Sequence, residues 1–244
     1  MERASVNSRA KPRVLKAPTV RRAEIVDSAQ RLFLSRGYER TTVNDVIGAT
    51  GLSKGALYHH FRSKEELLEA IAERFARESL SYVATVQADA SLNALRRLNT
   101  LLAMGREWKE EHLPQLRAMF TTILKPENAL LHHRIVNAVF SVMAPILAAI
   151  IEQGTREGVF DVADARVAAE TLLWLSNSRQ KVLVEAMAAS ASGDVDVAAA
   201  LIYRRIKAEE EIVGRILGLK DDRVELVGSL EYVRKLIVAW HRSA

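Results

Sequence analysis

From Arg21 onward, apolar residues recur at helical spacing. Ile25, Ala29, Leu32 and Phe33 make one stripe, Arg36 and Gly37 close it with a basic last turn and a glycine beyond, and no comparable stretch of alternating β-branched residues occurs. The pattern predicts an all-α fold. Three helix starts carry capping-box spacing, a short polar side chain three residues before an acid: Thr42 with Asp45, Ser63 with Glu66 and Asp222 with Glu225. Helices are expected at 21–36, 43–50, 54–60 and 64 to about 86. Further ones are expected at 91–110, 114–124, 127–156, 165–190, 195–217 and 223–241, with breaks at EHLP, KPEN, EGVFDVAD, ASGD and GLKDD.

With 244 residues, 49% of them hydrophobic, the chain can bury a sizeable core. Cysteine is absent, which removes disulfides, thiolate metal sites and cysteine nucleophiles and agrees with a reducing compartment. The longest apolar run, near Phe140 to Ile151, is broken by Pro145 and falls short of the roughly 20 residues needed to span a bilayer, so no membrane partner is expected and the location expected is cytoplasmic. The net charge of +5 is unevenly placed: residues 1–22 hold seven Lys/Arg against one Glu, and residues 23–64 hold six against four. The positive excess therefore sits in the first quarter of the chain, where it suits a phosphate-gripping arm if a nucleic-acid-binding element follows.

Such an element follows. Val43, Val46, Ile47 and Leu52 supply a bracing core, Gly51 a turn, and Leu57 and Phe61, spaced i, i+4, the inward face of a second helix. This is a helix-turn-helix. Its outward face begins small, so Gly55 and Ala56 let the backbone approach base edges while Ser53 and Lys54 offer a hydroxyl and a cation. Tyr58, His59 and His60 have planar bodies for sugar and thymine methyl groups and polar tips for phosphate. Lys64 adds a phosphate contact, as do Thr41 and Thr42 at the start of the bracing helix. The adjacent histidines point about 100° apart on a helix and cannot chelate one ion together, so no metal site is expected.

The run AEIVDSAQRLFLSRGYERTTVNDVIGATGLSKGALYHHFRSKEELLEAI resembles the N-terminal DNA-binding domain of the tetracycline-repressor (TetR) family. The match includes Gly-Tyr followed by Thr-Thr-Val, a turn of the Ala-Gly-Leu type, Lys-Gly-x-Leu-Tyr-x-His-Phe and Lys-Glu-x-Leu, with Thr50 where alanine is frequent. The resemblance implies a homodimer on a palindromic, double-stranded operator and a variable C-terminal domain that binds a small molecule and dimerises. It also implies that Thr42, Lys54, Tyr58, His60 and Lys64 touch DNA, mostly phosphate, and that Gly55 and His59 lie near base edges. The organisation expected is a basic flexible arm over 1–20, a three-helix DNA-binding domain over 21–66, and a helical effector-binding and dimerisation domain over 67–244.

In that larger domain Phe120, His133, Phe140, Met143, Trp174 and Asn177, with Trp108 and His112, are the expected effector-binding residues. The effector expected is a small hydrophobic or aromatic molecule. Pro145 is expected to kink its helix and free a carbonyl for a ligand or for the Ser141 hydroxyl. ARVAAETLLWLSNSRQKVLVEAM and VAAALIYRRIKAEEEIVGRIL read as long amphipathic helices that pair with their own copies. No nucleophile motif, glycine-rich phosphate loop, HExxH or paired Glu/His pattern occurs, so neither an enzyme nor a cofactor is expected. The functional expectation is a transcriptional repressor released from its operator by an effector. The alternative is a helical adaptor or a non-specific DNA binder without an effector.

Overall fold

A computed structural model of the chain describes residues 17–80, 83–220 and 223–242. Most of the expected basic arm, and the Asp222 cap, lie outside these residues. Helix α1 (Pro18–Arg36) starts three residues earlier than the pattern predicts, because Pro18 occupies the first turn, where a missing N–H removes no helical bond. Residues 18–20 of the expected arm are therefore helix. Helix α2 (Val43–Thr50) carries the Thr42–Asp45 capping box in full. Gly51 follows it at φ 64°, ψ 19°, a left-handed turn that L side chains rarely adopt, and delivers the chain to α3 (Lys54–His60). Helix α4 (Lys64–Ser79), capped by Ser63, ends before the expected position near 86, and a short α5 (Val83–Ala88) follows. The Ser79 hydroxyl donates to the Ala76 carbonyl at 2.8 Å, a local bond that competes with the last helical turn.

The remaining described helices are α6 (Ala94–Glu111), α7 (Leu113–Ile123), α8 (Ala129–Arg156), α9 (Ala165–Asn177), α10 (Gln180–Ala191), α11 (Val195–Ile216) and α12 (Leu230–Arg242). Two expected helices are corrected. The stretch 165–190 is broken at Ser178 and Arg179. The Ser178 hydroxyl turns back to the Leu175 carbonyl and accepts from Arg205, while Arg179 leaves the helix line to pair with Glu209 of α11. The stretch expected from 223 becomes helical only at Leu230. Its preceding backbone is tied elsewhere, the Glu225 N–H to Asn99 and the Val227 N–H to Glu210. A buried Arg97 likewise fixes the connection between α5 and α6 by donating to the carbonyls of Val86, Asp89 and Leu92.

One apolar cluster runs from Ile25, Phe33 and Val46 through Leu57, Phe61 and Phe75 to Trp108, Leu116 and Ile135. Full burial of side chains such as Leu57 and Phe61 stabilises by roughly 1.5–3 kcal/mol each, so α3 is held rigidly from behind. A second cluster joins α6, α8, α9 and α11, and a third joins α10, α11 and α12. By length and composition α8 could cross a bilayer, which corrects the shorter apolar run read from the sequence. It packs instead against α4, α6 and α9, with Arg134 paired to Glu69 of α4 at 2.5 Å. Pro145 lies within the continuous α8, and the Ser141 hydroxyl donates to the Ala138 carbonyl at 2.7 Å, not to the carbonyl that Pro145 leaves unpaired.

Where α8 turns toward α9, a Cβ on Gly154 would fall 2.0 Å from the buried ring of Phe160. Gly154→Ala should therefore destabilise the protein by about 1–3 kcal/mol through overpacking. Urea unfolding checks this, and an unchanged midpoint would contradict the packing described.

Candidate functional site

Helix α3 presents two chemically different faces. Leu57 and Phe61 are 0% and 2% exposed, whereas Ser53, Lys54, Gly55, Ala56, Tyr58 and His59 are exposed. The Ser53 hydroxyl accepts from the Ala56 N–H at 3.3 Å and fixes the start of the helix. Lys54 lies over the Tyr58 ring at 5.9 Å, and His59 meets His60 edge-on at 5.3 Å. Thr42 is exposed at the start of α2, beside this face in sequence, with its hydroxyl engaged by Asp45 at 2.6 Å.

Two expected phosphate ligands have other partners. Thr41 is 1% exposed, and its hydroxyl donates to the Gly37 carbonyl at 2.8 Å, so it is a buried strut of the α1–α2 turn. Lys64 is half-buried, donates to the Tyr38 carbonyl at 3.0 Å and covers the Tyr38 ring at 4.0 Å. Both follow a loop whose path the helical pattern does not reveal. Conversely, the structure brings Arg21 and Arg22 beside His60, with the Arg22 guanidinium 4.9 Å above the Phe61 ring. Their signal was the basic pair itself, which the sequence could count but not place. Burial, then the charges of His59, Arg22 and Arg21, hold the His60 imidazole below its ordinary value.

A separate cavity of about 260 Å³ lies between α6, α7, α10, α11 and α12. Its walls include Leu113, Leu116, Phe120, Leu183, Ile206 and Trp240, and its polar groups include Arg106, Lys109, Arg179 and Tyr232. No acidic side chain is among the described wall residues. Arg179 pairs with the buried Glu209 at 2.5 Å, and Glu209 also holds Arg205 at 2.6 Å. Arg106 donates to the Glu225 carbonyl at 2.6 Å, and the Tyr232 hydroxyl donates to the Arg106 carbonyl at 3.1 Å. Lys109 is an exposed residue on the cavity's wall.

Of the eight residues expected to contact an effector, Phe120 lines this cavity and the other seven do not. Trp108 is core, edge-on to Phe75 at 5.7 Å and stacked on His112 at 4.3 Å, and His112 Nδ1 lies 2.9 Å from the Trp108 carbonyl. Phe140 and Trp174 pair edge-to-face at 5.1 Å where α8 meets α9, and His133 neighbours Asn137 on α8. Met143 and Asn177 lie on the same two helices and are not among the wall residues. Helical spacing identified apolar faces but not which neighbour each face meets.

Two measurements check these assignments. Thr41→Val should cost about 1 kcal/mol of stability through the lost hydrogen bond, read by chemical unfolding, and an unchanged stability would contradict the buried role. In a histidine NMR titration of the free protein, the His60 midpoint should fall below ~6.5. Because folding disfavours its protonated form, the stability His60 contributes is present above that pH and lost as pH falls through it. A midpoint at or above the ordinary value would contradict the surroundings described.

Residues 25–71 match the family model for bacterial regulatory proteins of the tetR family, and residues 115–183 match a tetracyclin repressor-like C-terminal domain. The chain is 34% identical over 96 residues to the HTH-type transcriptional repressor KstR2 of Mycobacterium tuberculosis, covering 39% of this chain and 48% of that one. It is 43% identical over 75 residues to the repressor AcnR of Corynebacterium glutamicum, covering 31% and 38%. The chain thus spans about half, or less, of the length of these curated relatives. A TetR-family regulator from Syntrophomonas wolfei superposes with a TM-score of 0.53 at 17% identity, covering 91% of this chain and 97% of that one. The fatty acid degradation regulator FadR from Bacillus halodurans superposes with 0.51 at 19%, covering 80% and 96%. A helix-turn-helix at one end, a repressor-like helical domain at the other and an all-helical fold shared along most of the chain place this protein in the tetR family of bacterial regulatory proteins.

Proposed function

We propose that the protein is a cytoplasmic, homodimeric transcriptional repressor whose hold on operator DNA is altered by a small molecule in the cavity. The observation that carries DNA binding is the rigidly backed α3, with Lys54, Gly55, Ala56, Tyr58 and His59 turned outward. In this reading Tyr58, Lys54, Thr42 and His60 grip phosphate, and His59, with Ser53, Gly55 and Ala56 admitting close approach, reads base edges. Exposed apolar side chains on α9 and α11, Val167, Trp174, Val197 and Ile212, support pairing of two copies. Two copies would set their recognition helices one DNA turn apart or more, roughly 34–36 Å for adjacent grooves. The repressor names of KstR2 and AcnR favour repression.

Coupling is supported by α7. Phe120 and Leu124 line the cavity and also pack against the core that backs α3, and Leu116 belongs to both. Just beyond α7, Lys125 reaches Glu39 in the α1–α2 turn at 3.4 Å. A ligand that fits one position of α7 better than another would shift the protein between two states, and equal affinity for both would shift nothing.

Selection of binding sites from random duplex DNA should enrich a palindrome whose affinity falls steeply with salt. Tyr58→Ala should weaken binding to every sequence, whereas His59→Ala should flatten the preference at one position of each half-site by about 1–3 kcal/mol. Failure to enrich any sequence would contradict the proposal, and equal losses on selected and random DNA for both variants would contradict the division of roles.

A further inference from the structure

We infer that residues 1–16 act as a DNA-gripping arm that lies in the minor groove beside each half-site, with Arg9, Lys11 and Arg13 reaching toward its floor where A·T pairs prevail. The inference rests on the reading of α3 as the recognition helix and adds a second DNA contact with its own sequence preference.

The first turns of α1 are fixed to the end of α3. Pro18 opens the helix, Arg21 pairs with Glu24 at 3.0 Å, and the Arg22 guanidinium lies 4.9 Å above the ring of Phe61, the residue that ends α3. Ala17 stands about 8 Å along the helix axis from Arg22, and residues 17–20 are exposed. The preceding chain therefore joins the fold next to His60, the group given to phosphate at the edge of the major groove, and a minor groove begins on the far side of that phosphate backbone. Residues 1–16 hold five Lys/Arg against one Glu, and no acid occurs between Glu2 and Glu24. Arg9, Lys11 and Arg13 alternate with Ala10 and Pro12, so on an extended strand all three project from one side. Pro12 disfavours a helix, which would not fit a groove about 6 Å wide. Narrow A·T-rich minor grooves concentrate negative potential and attract such side chains, whereas the guanine amino group obstructs the floor at G·C pairs. An extended chain from Ala17 back to Arg9 reaches roughly 26 Å, about twice the width of a major groove. Tethering to a bound recognition helix makes the arm's contacts intramolecular, so a modest attraction suffices.

The test uses the full chain and duplexes that carry the selected palindrome between flanks of A·T, G·C or inosine·cytosine pairs, the last matching A·T in the minor groove and G·C in the major groove. The parent should bind A·T and inosine·cytosine flanks alike, and G·C flanks at least about tenfold more weakly. A chain carrying Arg9→Ala, Lys11→Ala and Arg13→Ala together should select the same palindrome, bind all three flanks alike and show a shallower salt dependence, with the parent's unfolding midpoint. Equal affinity for A·T and G·C flanks in the parent, a preference that survives the triple substitution, or inosine·cytosine flanks as weak as G·C would overturn the proposal. A shallower salt dependence of the variant without any flank preference in the parent would move the arm from the groove to the phosphates. If no palindrome is selected at all, the recognition-helix reading fails and this inference with it, whereas a palindrome without flank preference removes the arm's role alone.

Discussion

Helix α7 cannot move without disturbing two apolar environments at once. Leu116 is 9% exposed and belongs both to the core behind the recognition helix and to the wall of the cavity, and Phe120 and Leu124 also serve both. Close-packed interiors deform in discrete steps, so a change in what fills the cavity must be absorbed by α7 or passed through it. Beyond it, in the same apolar cluster, lie Phe33 of α1, Phe61 at the end of α3 and Phe75 of α4. In the proposed function, the rigidity of α3 and its response to a ligand have the same physical source.

Electrostatics around the cavity follow a second rule. Buried acids in this half of the molecule are matched: Glu209 by Arg179 and Arg205, Glu210 by Lys207 and the Val227 N–H. These pairs also fix the break between α9 and α10 and the extended approach to α12, so they build the cavity's rim. Breaking a matched buried pair is costly, which gives the rim a well-defined shape. The cavity's wall itself sets Arg106, Lys109 and Arg179 among apolar side chains, with no acid among its described residues.

The sequence revealed most where structure is local. The Thr42–Asp45 and Ser63–Glu66 caps, the Gly51 turn and the inward Leu57 and Phe61 are set by residues within one or two turns, and α2 and α3 fall on the ranges their pattern predicts. Contacts between distant segments were not legible. Thr41 reads as an exposed helix start until the α1–α2 turn folds its hydroxyl onto Gly37. Arg179 reads as the middle of a long helix until Glu209 draws it inward. The cavity escaped for the same reason: its wall joins α6 and α7 to α12, more than a hundred residues further along the chain, while Phe140 of α8 and Trp174 of α9 meet each other away from it.

The most direct test of the coupling is to fill the cavity without a ligand. Met187 lines it from α10, and Met187→Trp adds bulk there while leaving every residue of α1 to α4 unchanged. With the operator found by selection, the account predicts that a Met187→Trp protein with a normal unfolding transition differs from the parent in operator affinity by at least about tenfold, near 1.4 kcal/mol. An unchanged affinity in a folded variant that no longer admits ligand would contradict the claim that the cavity and the recognition helix share one packed element.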